Sequence, residues 1–190
     1  MWYHRRYNLS EMSGHSHWAG IKHKKEITDQ KRGKVFSKLL AAISAAARTE
    51  QNPDFNPRLR TAIATAREAS VPQENIERAI KRASEAGEAL EELVFEAYGP
   101  GGIALMIEAV SDNRNRTVQE IKLILKEHNG KWAEAGSVRW AFAPAPAGAG
   151  SAWEAKFPQE VSEEDAKKLG ALMDALEDND AVQNVFTNAA

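Results

Sequence analysis

The stretch GHSHWAGIKHKK, residues 14–25, gathers His15, His17, His23, Trp18, Lys22, Lys24 and Lys25 into twelve positions. Imidazoles at that density could hold zinc, whereas ammonium groups beside an indole could hold a polyanion. The zinc reading has no carboxylate or cysteine among its ligands, and His-x-His in a loop is weakly specific. Nucleophilic catalysis has no motif behind it: there is no G-x-S-x-G, no H-E-x-x-H and no Walker lysine after a glycine loop. The absence of cysteine removes thiolate nucleophiles, disulfides and thiolate-bound zinc, and it fits a reducing compartment. Neither a resident metal nor a cofactor is expected, and nothing calls for a small-molecule substrate.

Polyanion binding fares better. Lys22, Lys24, Lys25, Lys31, Arg32, Lys34 and Lys38 place seven positive charges in seventeen residues, against Glu26 and Asp29. Aromatic and imidazole rings among such cations suit nucleic acid, where rings stack on bases and cations meet phosphates. The net charge of −2 conceals the polarity of the chain. Residues 1–60 hold twelve Lys/Arg against five Asp/Glu, and residues 151–190 hold three against nine. A solvated basic helix is the plain alternative, and the one-sided placement of the cations counts against it.

These side chains must be carried by helices. From Thr28 to Arg48, Val35, Phe36, Leu39, Leu40 and Ile43 recur at helical spacing, with Lys31, Lys34 and Lys38 centred roughly 140° away around the axis. NPRLR opens a second helix, with Asn56 as N-cap, Pro57 in the first turn and Leu59, Ile63 and Ala66 facing inward. A third starts near Pro72 and turns Ile76, Ile80 and Ala83 inward. Short connections make these three a small bundle.

After Gly87 the pattern changes. Strands are predicted over Leu93–Tyr98 and Ile103–Ser111, with Pro100, Gly101 and Gly102 supplying a type II turn. A helix is predicted over Thr117–His128, capped by a Thr117/Glu120 box and ended by Gly130. GSVRWAFA, residues 136–143, alternates as a strand, and PAPAGAG, residues 144–150, reads as a linker. A strand over Trp153–Phe157, a helix over Ser162–Glu177 capped by Ser162, and a strand over Val182–Thr187 close the chain. The second half is therefore ββαβ–βαβ, and the fold class is α+β. In DNRNRT the Asx side chains suit a turn, while Arg114 and Arg116 beside a helix N-terminus could also bind an anion as a second contact. His128 falls on the face of Val118, Ile121 and Leu125, a core or rim position, and Trp132 and Trp140 read as packing residues.

GHSHWAGIKHKK, DQKRGKVFSKL, NPRLRTAIATAR, NIERAIKRA, YGPGGIALMIEAVSDNRNRT, GSVRWAF and ALEDNDAVQNVFTNA together resemble the YebC/PmpR family. That family includes bacterial regulators and the mitochondrial translational activator of cytochrome c oxidase. The resemblance runs over Met12–Phe142 and Trp153–Ala189. It implies a helical domain followed by ferredoxin-like α+β structure, no catalysis, and a role in gene expression. That role is either a ribosome-associated translation factor helping synthesis through proline-rich stretches or a DNA-binding transcriptional regulator. Carried over by position, the nucleic-acid-facing residues are His15, Ser16, Trp18, Lys22, His23, Lys24 and Lys25, then Lys31, Arg32 and Lys34. Lys38, Arg58 and Arg60 extend that surface.

Three departures stand out. His17 occupies a position where the family usually has lysine, Ala83 replaces a usual glycine, and APAPAGAGSA stands where the family carries a further α+β domain. The expected layout is an extension over 1–12, with Met12 the more natural start, and a basic nucleic-acid-binding helical domain over 13–87. A ferredoxin-like domain built from 88–143 plus 151–190 follows, closed by the 144–150 linker. Ribosomal RNA is the expected partner and DNA the alternative, with no membrane partner, because no apolar run approaches the roughly 20 residues of a span. The expected place is the cytoplasm, or the mitochondrial matrix in a eukaryote.

Overall fold

The computed structural model describes residues 29–83, 90–145 and 153–190. The bundle is α1 (Asp29–Ala47), α2 (Pro57–Glu68) and α3 (Gln73–Arg82). Asn56 caps α2 as its sequence predicts: its side-chain oxygen accepts from the Leu59 amide at 3.0 Å. Its amide group donates back to the carbonyls of Ala46 and Glu50, so one buried side chain also fixes how α1 meets α2. Ile43, Leu59, Ala66 and Ile76 are essentially solvent-free at the centre, with Phe36, Leu39, Leu40 and Ile80 around them. Each fully buried Ile or Leu side chain among them contributes about 2 kcal/mol through burial. Ala83 keeps helical dihedrals after α3, as expected of a residue with a Cβ in place of glycine.

The sheet combines β1 (Glu91–Tyr98), β2 (Ala104–Ser111), β3 (Lys131–Ala133) and β6 (Val182–Thr187) in the order β3-β1-β2-β6, antiparallel throughout. The β1–β2 turn is the type II turn expected: Gly101 takes φ 72° and ψ 6°, and the Gly102 amide donates to the Gly99 carbonyl at 3.1 Å. Helices α4 (Arg114–Glu127) and α5 (Glu163–Asp178) pack on one face over Leu93, Phe95, Ala97, Leu105 and Ile107. Ser162 caps α5 as read, accepting from the Asp165 amide at 3.1 Å. This is the α+β architecture expected, helices on an antiparallel sheet whose central pair is the β1–β2 hairpin.

Two local expectations are corrected. Helix α4 begins three residues earlier than read, because Asn113 rather than Thr117 is the N-cap and accepts from the Arg116 amide at 3.1 Å. Thr117 is instead buried, with its hydroxyl on Ser111 and on the Asn113 carbonyl. The strand read over residues 136–143 is also broken. Buried Glu96 accepts the amides of Gly136 and Val138 at 2.7 Å and that of Arg139 at 3.3 Å, which curls the chain into a turn and a short 3-10 segment, Arg139–Ala141. Only β4 (Phe142–Pro144) stays extended, paired with β5 (Trp153–Ala155), and the third strand of the main sheet is Lys131–Ala133 upstream. This segment covers the second sheet face, where Met106, Val138, Ala141 and Phe142 form a smaller core.

Candidate nucleic-acid interface

The candidate cations fall into groups once the fold is in place. His15, Ser16, Trp18, Lys22, His23, Lys24 and Lys25, with His17, lie outside the described residues. Lys31 and Arg32 sit in the first turn of α1, their side chains also outside the described set.

Lys34 and Lys38, one helical turn apart, face the C-terminal end of α5. Lys38 Nζ donates to the carbonyl oxygens of Glu177 at 2.6 Å and Val182 at 2.7 Å. Lys34 donates to the Asp178 carbonyl and stands 3.5 Å from the Asp180 carboxylate. A helix C-terminus carries unpaired carbonyls and partial negative charge, so two ammonium groups there are well matched. The bundle is therefore fastened to the α+β half by residues whose types alone resemble a phosphate-binding face. The sequence pattern gave Lys34 and Lys38 their shared helix face; what lies opposite that face needed the fold.

Arg116 closes the same neighbourhood. Its guanidinium meets Asp112 at 2.7 Å and Glu120 at 3.8 Å, and Asn179 donates to Glu120 at 2.9 Å. The resulting cleft, about 550 Å³, mixes Lys34 and Arg116 with Glu120, Asp178 and Asp180. Its charges pair internally, so it offers little net attraction to a polyanion. Arg114, in the first turn of α4, is exposed. In the first half of α5, Lys168 has its pKa raised by the hydrogen bond it donates to Glu164 and by that carboxylate's charge, an exposed i, i+4 pair.

A second cleft, about 480 Å³, separates the bundle from β1. Arg48, at the end of α1, donates to the Leu90 carbonyl at 2.8 Å, and Arg58 pairs with Glu92. Arg58 remains largely open to solvent despite that pair. Arg60 is exposed beside it, with one long contact to the Pro53 carbonyl at 3.3 Å. Arg48 was not among the residues singled out from the sequence; its place one turn beyond the apolar stripe of α1 was the available signal. Phe55, in the α1–α2 connection, is 78% exposed.

The packing expectation for tryptophan holds in part. Trp132 is half-buried against Phe95, centroids 5.4 Å apart, with the Lys122 ammonium 4.9 Å from its ring. Trp140 is instead 57% exposed. His128 is half-buried at the end of α4, the rim position. Among the described residues no group of His, Cys, Asp or Glu is arranged to hold a metal, and no helix is long and apolar enough to cross a membrane.

Comparison with known proteins places this architecture. Residues 16–86 match the family described as TACO1/YebC protein N-terminal domain. Residues 90–147 and 144–189 match, in two pieces, the TACO1/YebC second and third domain. The chain belongs to the TACO1/YebC family. A probable transcriptional regulatory protein of Dictyoglomus turgidum is 54% identical over 134 residues, 69% of this chain and 54% of that protein. Over such stretches the chain spans about half the length of the curated relatives it matches. Another protein of that name, from Fervidobacterium nodosum, is 40% identical over 235 aligned positions and 93% of each chain. An alignment of that length leaves positions with no residue in a 190-residue chain. The two matched pieces of the second family model meet at residues 144–147, inside the Pro/Ala/Gly stretch. The crystal structure of a conserved hypothetical protein from Aquifex aeolicus superposes with a TM-score of 0.81 at 35% identity, over 92% of this chain and 97% of that one.

Proposed function

We propose that this TACO1/YebC-family chain is a non-enzymatic, nucleic-acid-binding regulator of gene expression acting in the cytoplasm, or in the mitochondrial matrix of a eukaryote. More finely, we read it as an RNA-associated translation factor that works on the ribosome and aids synthesis through proline-rich stretches. The observation that carries the reading is the cation density of Lys22, Lys24, Lys25, Lys31 and Arg32 in a chain whose other end is acidic. Relatives named probable transcriptional regulatory proteins support the regulatory role. The arm of His15, Ser16, Trp18, Lys22, His23, Lys24 and Lys25 is the main contact, with Lys31 and Arg32 beside it and Arg58 and Arg60 as an outer edge. Lys34 and Lys38 are assigned to holding that arm's helix in place, through their bonds to the end of α5.

The DNA-binding alternative would use α2 and α3 as a helix pair, reading bases from the start of the second helix. In α3 that start carries Glu74 and Glu77, which phosphate repels, and Gln73 is engaged by Arg67 and Glu77. Unpaired RNA bases and dense phosphate suit the aromatic-studded arm better than a duplex groove does.

The test is crosslinking of the tagged chain to nucleic acid in cells, followed by sequencing of the attached fragments. Discrete ribosomal RNA segments are expected, and they should vanish in the Lys22→Glu/Lys24→Glu/Lys25→Glu variant. Recovery of specific promoter DNA instead would replace the RNA reading with the transcriptional one. In vitro, about four phosphate contacts on single-stranded RNA give a log–log salt slope near −3.

A further inference from the structure

The second face of the sheet carries a ring pair that packing does not account for. Trp140 and Phe157 touch, with centroids 5.8 Å apart and planes tilted by 39°. Yet they remain 57% and 49% exposed. Two cations lie beside the pair: the Lys156 ammonium is 5.2 Å from the Phe157 ring centroid, and Arg139, the chain neighbour of Trp140, has its guanidinium 5.1 Å from the Trp153 ring centroid.

The backbone beneath the rings is fixed. Glu96 holds the 136–139 turn through three amides, and the Trp140 indole N–H donates to the Ser137 carbonyl at 2.8 Å. On the other side the Lys156 amide donates to the Ala141 carbonyl at 2.8 Å, and the Asn188 amide group to the Phe157 carbonyl at 2.9 Å. Glu108, the acidic side chain of β2 on this face, already accepts from Trp153 and Asn184. Rigid exposed rings flanked by cations stack on bases without ordering cost, and the cations draw the phosphates that accompany them. Two half-open rings are too small a patch for a stable protein partner, which needs on the order of 1,000 Å² of buried surface.

We propose that Trp140 and Phe157, flanked by Arg139 and Lys156, form a stacking platform for unpaired bases of single-stranded nucleic acid, a second contact separate from the basic arm. The choice of occupant rests on the nucleic-acid reading above. Stacking makes the platform tolerant of base identity and blind to duplex, whose bases are already stacked on one another.

The experiment is fluorescence anisotropy of the full chain with labelled oligouridylate and with an RNA duplex of equal length. The Trp140→Ala/Phe157→Ala variant should bind oligouridylate about 10- to 100-fold more weakly. Its salt slope should stay as in the parent, because no cation is lost. Duplex binding should not change. Trp140→Tyr/Phe157→Tyr keeps both rings and should restore parent affinity, which separates stacking from a folding defect that melting curves would also reveal. Unchanged oligouridylate affinity in the alanine variant overturns the platform. So does equal loss for duplex and single strand, and so does a fall in molecular mass with affinity retained, which would make the pair a contact between copies of the chain. If the parent chain binds neither RNA, the nucleic-acid reading itself fails; if only the arm variant loses binding, the platform alone fails.

Discussion

The Lys38 ammonium donates to the Glu177 carbonyl at 2.6 Å and so caps the last turn of α5 from the neighbouring bundle. A second bond reaches the Val182 carbonyl at 2.7 Å, where β6 begins. One side chain on α1 therefore satisfies the end of a helix and the start of a strand 139 and 144 residues away along the chain. Charge-assisted bonds of this kind are worth about 1.5–3 kcal/mol when half-buried.

Lys38→Met keeps the apolar stem and removes both bonds. The variant should lose about 2 kcal/mol of stability, which for a domain of this size lowers the melting midpoint by roughly 4–8 °C. Differential scanning calorimetry checks this, and hydrogen exchange should show the amides at the end of α5 opening first. A midpoint unmoved by the substitution would remove the capping role.

The legibility of this fold followed the range of each interaction. Caps and turns are written within a few residues, so Asn56, Ser162 and the Pro100–Gly101 turn could be read directly, and so could the apolar stripes of α1, α2 and α3. Glu96 could not: it breaks a strand-like alternation forty residues away, and nothing local in GSVRWAFA announces it. β3, three residues long, is too short for alternation to register. The site was legible in charge but not in use. Periodicity put Lys34 and Lys38 on one helix face, yet only tertiary structure shows α5 opposite that face. Residue type argued for buried tryptophans, and Trp140 departs because its neighbours cover the sheet and leave its own ring outside.

Glu96→Gln tests the long-range cap. The carboxylate accepts three amides with two oxygens, whereas the amide side chain offers one acceptor and turns an N–H₂ toward the remaining donors. A loss of about 1–3 kcal/mol follows from leaving buried donors unpaired. Amide exchange at Val138 and Arg139 should accelerate well beyond that at Leu105 or Ile107. Protection at Val138 equal to the parent's would show that the turn holds itself.

Arg58 separates a structural from a binding role. Its pair with Glu92 is largely exposed and contributes under about 1 kcal/mol. Arg58→Ala should therefore melt within a few degrees of the parent while reducing the salt slope of RNA binding by about 1, the signature of one lost phosphate contact. An unaltered slope would take Arg58 off the interface, leaving it as a partner of Glu92 alone.

The end of α4 offers a test of which residue needs to be small. Asn129 takes the left-handed conformation, φ 59°, and the Gly130 amide donates to the Leu125 carbonyl at 2.7 Å, closing the helix. Glycine is thus not at the position of positive φ. Its role is clearance: a Cβ on Gly130 would stand 2.8 Å from Leu125 Cδ2, 3.2 Å from Leu172 Cδ2 and 3.3 Å from the Tyr98 carbonyl oxygen. Leu125 and Leu172 are fully buried and Tyr98 O is backbone, so none can retreat without disturbing the main core. Gly130→Ala should cost about 1–3 kcal/mol through overpacking. Asn129→Gly relieves the left-handed conformation and should leave stability within about 1 kcal/mol of the parent. Urea unfolding of the two variants decides between these accounts. Were the order reversed, with Asn129→Gly the damaging change, the helix end would depend on the asparagine side chain rather than on the close approach of Gly130 to the core.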